Sequence, residues 1–161
     1  MSDRVTRHSI RLFDMWQFEV IPSIANPQTI RVGETLVPEA VPKATDYLLF
    51  RRSFNWVAAP DPTERILLRV EGATRDADVW LSHGSSKRKE LREFPEHEKL
   101  GRIVAAEPFF ETDLSGKLAK SNELIIRFAG PAKEIERSTP GQAPDVGYGL
   151  QRGVWLLVVD A

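Results

Sequence analysis

Residues 46–81 read DYLLFRRSFNWVAAPDPTERILLRVEGATRDADVWL, and the fold follows from how this stretch divides. Tyr47 to Trp56 is rich in aromatic and branched side chains, which suit a pleated, half-buried surface. Pro60 and Pro62 then fix φ and remove ladder donors, so the chain must turn there. Beyond them Ile66, Leu68 and Val70 alternate with Leu67 and Arg69, and this period of two sends one set to a core. Glu71-Gly72-Ala73-Thr74 reads as a second turn, and Asp78–Leu81 as a short strand after it. Three strands joined by two turns imply a β-sheet protein.

The rest of the chain follows the same pattern. Leu12–Ile21 reads as a first strand or edge segment around Trp16. Ile21–Val41 carries Pro22, Pro27 and Pro38, with Pro42 just beyond, which excludes a helix or a central strand. It is read as an irregular wrap, with Thr29–Val32 as a short edge strand. Ser82–Arg102 is polar and charged and reads as a solvated hairpin extension. Ile103–Leu114 returns to apolar residues, Ser115–Ser121 is a turn, and Leu124, Ile126 and Phe128 mark a clear strand. Ala129–Gly147 holds three prolines and is read as a long loop. Val154–Val159 is apolar on both faces and suits a central strand. Short strands with turns between them and no amphipathic helix give an all-β class, a sandwich of two sheets.

This order of segments resembles the N-terminal sugar-binding domain of family 2 glycoside hydrolases, the group of β-galactosidases, β-glucuronidases and β-mannosidases. The Tyr47-to-Phe54 segment, the ILLRVEG strand at 66–72 and DADVWL at 76–81 carry the resemblance. So do Phe109–Leu114, Ser121–Leu124, the closing Gly149–Leu156 and the opening Leu12–Phe18. The resemblance implies a jelly-roll β-sandwich, galactose-binding-domain-like, spanning residues 1–161 as one domain, with 1–45 as a Pro-rich segment wrapping it. In that family the catalytic glutamates lie in a later barrel domain, so no catalytic residue is carried over and the chain is read as non-catalytic. The family also continues into an immunoglobulin-like domain after its closing strand, and this sequence stops at Ala161, so an N-terminal fragment of a longer glycoside hydrolase is one reading. The others are an ancillary carbohydrate-binding domain and a protein-interaction or scaffold module on the same sandwich.

Composition narrows the functions. With 161 residues and 42% hydrophobic content the chain can bury a core without staples, and it contains no cysteine for disulfide or thiolate chemistry. Twenty-two basic and 23 acidic residues leave a formal charge of −1, which gives no field for nucleic acid or an anionic membrane. The N-terminus is polar and lacks an apolar leader, which favours the cytoplasm. His8, His83 and His97 show no zinc-ligand spacing, and neither a phosphate loop nor a nucleophile elbow occurs. No cofactor is implied. A structural calcium on Asp76, Asp78 and Glu107 is the one metal expectation, taken from related jelly rolls.

The resemblance implies carbohydrate, or a glycoside hydrolase catalytic domain, as the partner. Sugars are held by aromatic rings that stack on their C–H faces and by charged or amide groups that bond their hydroxyls. Trp16, Trp80 and Trp155 are read as core or inter-sheet packing. Trp56 borders the Pro-rich turn, and Tyr148 stands between Gly147 and Gly149, which would let the backbone bring its ring to a surface. Arg52 and Arg152 occupy arginine positions of the resembled motifs, where a guanidinium either meets ligand or clamps a carbonyl or a carboxylate such as Asp113 or Asp145. Gln151 replaces the aromatic common in the family's closing motif. The candidate ligand-binding set is Tyr148, Trp56, Arg152, Arg52 and His83.

Overall fold

The computed structural model describes residues 6–21, 28–37, 40–57, 61–83, 99–134 and 147–161. Ten strands and one short helix run through them. They are β1 (Thr6–Arg11), β2 (Trp16–Ile21), β3 (Gln28–Ile30), β4 (Tyr47–Asn55), β5 (Glu64–Ala73), β6 (Ala77–His83), β7 (Lys99–Ile103), β8 (Phe110–Asp113), β9 (Ser121–Ala129), α1 (Pro131–Glu134) and β10 (Leu150–Asp160). They form an antiparallel four-stranded sheet, β1-β10-β5-β8, and an antiparallel six-stranded sheet, β3-β2-β4-β9-β6-β7. The chain crosses between sheets at β1–β2, β4–β5, β5–β6, β7–β8, β8–β9 and β9–β10. The all-β sandwich read from the sequence is the fold observed.

The core lies between the sheets, where alternation places it. Leu48, Phe50 and Phe54 of β4, Leu124, Ile126 and Phe128 of β9, and Val79 and Leu81 of β6 face Leu68 and Val70 of β5 and Val154 and Leu156 of β10. Each such side chain contributes about 1.5–3 kcal/mol by leaving water. A run of rings extends through this layer: Phe18–Phe50, Phe50–Phe128 and Phe128–Tyr148 stand 6.2, 5.2 and 6.2 Å apart. Trp16 is 1% exposed, and its Nε1–H donates to the Leu12 carbonyl at 2.9 Å, so the indole is buried with its polar atom satisfied.

A second apolar cluster sits on the outer face of the six-stranded sheet. Leu49 and Ile125 are 0% exposed and Trp80 1%, with Ile21 and Tyr47 beside them. Trp80 is therefore buried, but on the opposite face of the sheet from the inter-sheet layer. Charged side chains ring this cluster. Arg51 bridges Glu19 and Glu123 at 3.0 and 2.7 Å, and Asp78 meets Lys99, Arg102 and Arg127.

Several boundaries differ from the sequence reading. Residues 6–30 supply strands to both sheets, with β1 beside β10 and β2 beside β4. Polarity hid β1, because its side chains are almost all exposed. The turn expected at 71–74 is still strand: β5 runs to Ala73 and the chain turns at 74–76. Gly72 adopts φ +86° opposite an irregularity in β10 between Leu150 and Gly153. A β-bulge, not a chain reversal, is what its left-handed backbone serves. β10 lies between β1 and β5, the central position expected for it, and β3 forms the edge expected near Thr29. Residues 84–98 of the charged hairpin extension and 135–146 of the long loop lie outside the described residues.

Candidate functional site

The five residues singled out in the sequence do not converge. Tyr148 bridges to Leu36 beside the β5–β6 turn, and its ring packs on Phe128. Trp56 follows β4 at the other end, where its N–H donates to the Lys120 carbonyl at 3.0 Å. Phe128 and Ser121, the β9 residues nearest these two sites, are separated by about 23 Å of strand at the usual rise. His83 ends β6 on the Trp56 side, its Nε2 in hydrogen-bond contact with the Lys117 carbonyl. Arg52 donates to the carbonyl of Ser53, and Arg152 is exposed beside Gly72.

The surface placement expected for Tyr148 is overturned. Its ring is 1% exposed, closed between Phe128 and the Arg75 guanidinium, whose carbon lies 4.1 Å from the ring centroid. Its glycine neighbours serve packing: a Cβ on Gly147 or Gly149 would fall 2.4 or 2.5 Å from the carbonyl oxygens of Leu36 and Glu34. Close backbone approach, rather than exposure of a ring, explains both glycines. Trp56 is half-buried and packs on the main core.

The opposite correction applies to Trp155. Its apolar strand implies core or inter-sheet packing, yet its side chain lies on the outer face of the four-stranded sheet and is half-buried. Val154 and Leu156 take the core face, so strand alternation fixes Trp155 outward. The β-sheet register aligns Arg11, Trp155, Arg69 and Glu111 in one row across β1, β10, β5 and β8. Registered neighbours share a face about 5 Å apart, so Arg11 and Arg69 flank Trp155 on the neighbouring strands. The indole lies down over Gly153: a Cβ there would stand 2.5 Å from Trp155 Nε1 and 3.3 Å from Cδ1.

Two further rings complete this face. The Arg11 guanidinium carbon lies 4.7 Å from the Phe13 ring centroid and 5.5 Å from that of Trp155, and that of Arg69 lies 4.0 Å from Phe109. Phe13 and Phe109 are 38% and 40% exposed, which leaves both usable by a ligand. A flat indole flanked by rings, cations and the carboxylates Glu71 and Glu111 can stack the apolar face of a small molecule and bond polar groups at its rim. The signal in the sequence was Gly153 two residues before Trp155. On a strand, i and i+2 share a face, and a missing Cβ makes room for the next large ring.

Asp78, Asp113 and Asp76 are tied into the fold. Burial pushes the Asp78 carboxyl up, but the Lys99 hydrogen bond and the charges of Lys99, Arg102 and Arg127 outweigh it and hold the group below the usual carboxylate range. Burial likewise pushes the Asp113 carboxyl up, but the hydrogen bonds from Ser115 and the hydrogen bond and charge of Arg65 outweigh it and hold the group below the usual carboxylate range. Asp76 accepts from the Ala105 N–H at 2.8 Å and lies 3.7 Å from Arg102. Among the described residues no group of three or more His, Asp or Glu side chains gathers as a metal site, and no helix is long and apolar enough to cross a membrane.

The sandwich is shared with known enzymes. No family model matches the sequence, and no curated protein matches it. Among solved structures, the FMN-binding β-glucuronidase from Facaelibacterium prausnitzii L2-6 superposes with a TM-score of 0.65 at 18% identity, over 94% of this chain and 22% of that one. The Bifidobacterium dentium β-glucuronidase, solved with coumarin-3-O-glucuronide, gives 0.63 at 16%, over 100% of this chain and 31% of that one. The β-D-mannosidase from Dictyoglomus thermophilum gives 0.62 at 14%, over 92% and 22%. The chain thus has the sandwich fold found within glycoside hydrolases, as its motifs implied, and it spans between about a fifth and a third of the length of these enzymes.

Proposed function

We propose that this chain is a non-catalytic sandwich that binds or positions carbohydrate, alone or beside a glycoside hydrolase catalytic domain. The likeness over nearly the whole chain to a minor part of such enzymes supports the ancillary role. The observation that carries sugar binding is the half-buried Trp155, laid over Gly153 on an open sheet face with polar groups in the same row. The outer face of the other sheet is closed by its own buried cluster, so among the described residues the Trp155 face is the outer sheet face that presents an accessible indole.

Calorimetric titration against a broad panel of mono- and oligosaccharides tests this reading. The parent binds at least one class, and Trp155→Ala weakens it by about tenfold or more, the scale of one aromatic contact. Silence of the parent across the panel removes the binding claim and leaves the fold. A protein-interaction module is the second reading, favoured by burial of Tyr148 and by the exposed Phe13 and Met15, 38% and 69% accessible, on one loop. A defined catalytic domain that binds the parent and is lost with Phe13→Ser, while every sugar stays silent, would establish it instead.

A further inference from the structure

We propose that the saccharide taken up by the Trp155 face carries a carboxylate, with Arg11 and Arg69 as its counter-charge. This rests on the carbohydrate reading above and specifies its ligand. Four arginines lie on β1 and β5, and they divide into two kinds. Arg7 is ion-paired to Glu64 at 3.0 Å and to Asp160, and Arg65 to Asp113 at 3.0 Å. Arg11 and Arg69, the pair that brackets Trp155, meet no carboxylate among the described residues, although Glu71 and Glu111 share their face.

Aromatic rings hold these two cations instead. A guanidinium laid on a ring presents its planar N–H edge outward, and that edge matches a carboxylate with two parallel hydrogen bonds. The Arg69 Nε–H is buried and has no acceptor, so this guanidinium makes fewer hydrogen bonds than it can, and it forms no ion pair among the described residues. The two arginines stand one strand to either side of the indole, about 10 Å apart in backbone terms. A carboxylated saccharide stacked on Trp155 therefore lies between two guanidiniums that both favour its carboxylates, with Glu71 as an acceptor for a hydroxyl. A planar carboxylate uses the fork geometry more fully than a tetrahedral sulfate, so a uronate-type residue is the ligand this face fits.

The test uses oligosaccharides of three uronic acids (galacturonate, glucuronate and mannuronate), the same oligosaccharides with carboxyls reduced to alcohols, and a sulfated galactan oligosaccharide. Titrated into the chain at low salt, at least one uronate binds tenfold or more tighter than its reduced counterpart, and the preference shrinks as salt screens the pair. Arg11→Gln removes the preference while the weaker binding of the reduced sugar persists, and Arg11→Lys restores part of it. Arg11 is exposed, so its variants keep the fold, and unchanged melting confirms this. Arg69→Gln gives the same loss on the other side of the indole. Equal affinity for acid and reduced forms, or binding of the sulfated probe alone, overturns the carboxylate and leaves carbohydrate binding standing. Binding of no probe here and of no sugar in the broader panel overturns both.

Discussion

The guanidinium carbon of Arg127 lies 4.7 Å from the centroid of the Trp80 indole, on the outer face of the six-stranded sheet. The same guanidinium stands 4.2 Å from the Tyr47 ring, and its Nη2 donates to Asp78 Oδ2 at 3.3 Å. Arg127 thus lies against two rings while Asp78 holds it in place. Charge and apolar burial support each other here: the rings keep water from the ion pair, and the ion pair orders the long side chain over the rings.

Trp80→Ala empties this cluster. With the indole 1% exposed, the loss is about 3–5 kcal/mol, a large share of the ~5–15 kcal/mol typical of a domain. A thermal melt reads this as a fall of about 10 °C or more. A melt equal to the parent's would mean that Trp80 is not packed as the register with Ile125 requires.

Asp78→Asn tests the ionic half of the same cluster. The substitution leaves Lys99, Arg102 and Arg127 without their shared counter-charge, at a cost of roughly 3 kcal/mol near neutral pH. The folded carboxyl titrates below its unfolded range, so its stabilisation is present above that range, near pH 4, and is lost as pH falls through the lower folded value. The stability gap between parent and variant should therefore be full at pH 7 and close progressively below about pH 4. A gap independent of pH would assign the effect to shape rather than charge.

The sandwich was legible because its central strands carry their pattern in apolar side chains. Leu124–Phe128 and Val154–Val159 could hardly be anything but buried strands. β1 was illegible for the converse reason: an edge strand with exposed side chains on both faces leaves no periodicity to read. Trp16 and Trp80 are buried as their apolar settings implied, and Trp155 is not, because apolar neighbours on a strand do not say which face a ring takes. Trp80 and Trp155 both sit in apolar runs, yet each points away from the inter-sheet core, one onto a closed face and one onto an open one. Tyr148 was misread because glycines on either side suit tight packing as well as exposure, and only the position of the Leu36 and Glu34 carbonyls decides between them. The row Arg11–Trp155–Arg69 joins residues 58 or more positions apart, which only strand register reveals.

Tyr148→Ala is expected to behave as a core lesion. The ring closes the aromatic run that begins at Phe18 and is 1% exposed, so removal costs about 3–5 kcal/mol. Trp56→Ala, at a half-buried position near a turn, should cost less. Parallel thermal melts rank the two, and a Tyr148 variant that melts above the Trp56 variant would return Tyr148 to the surface.

Gly153→Ala separates the Trp155 face from the fold beneath it. A Cβ at residue 153 would stand 2.5 Å from Trp155 Nε1, nearer than real contacts allow, so the indole must swing off the strand. The backbone itself is not strained, because Gly153 is absent from the residues with positive φ. Alanine also lowers the entropy of the unfolded chain, which offsets part of the repacking cost. Stability should change by no more than about 1 kcal/mol, either way, while the ring becomes more accessible. Acrylamide quenching of tryptophan fluorescence should rise, the rise should vanish in the Trp155→Ala background, and any sugar affinity of the parent should fall with it. If Gly153→Ala left both quenching and affinity at parental values, the indole would not be lying over Gly153, and the binding face would have to be sought elsewhere on the sandwich.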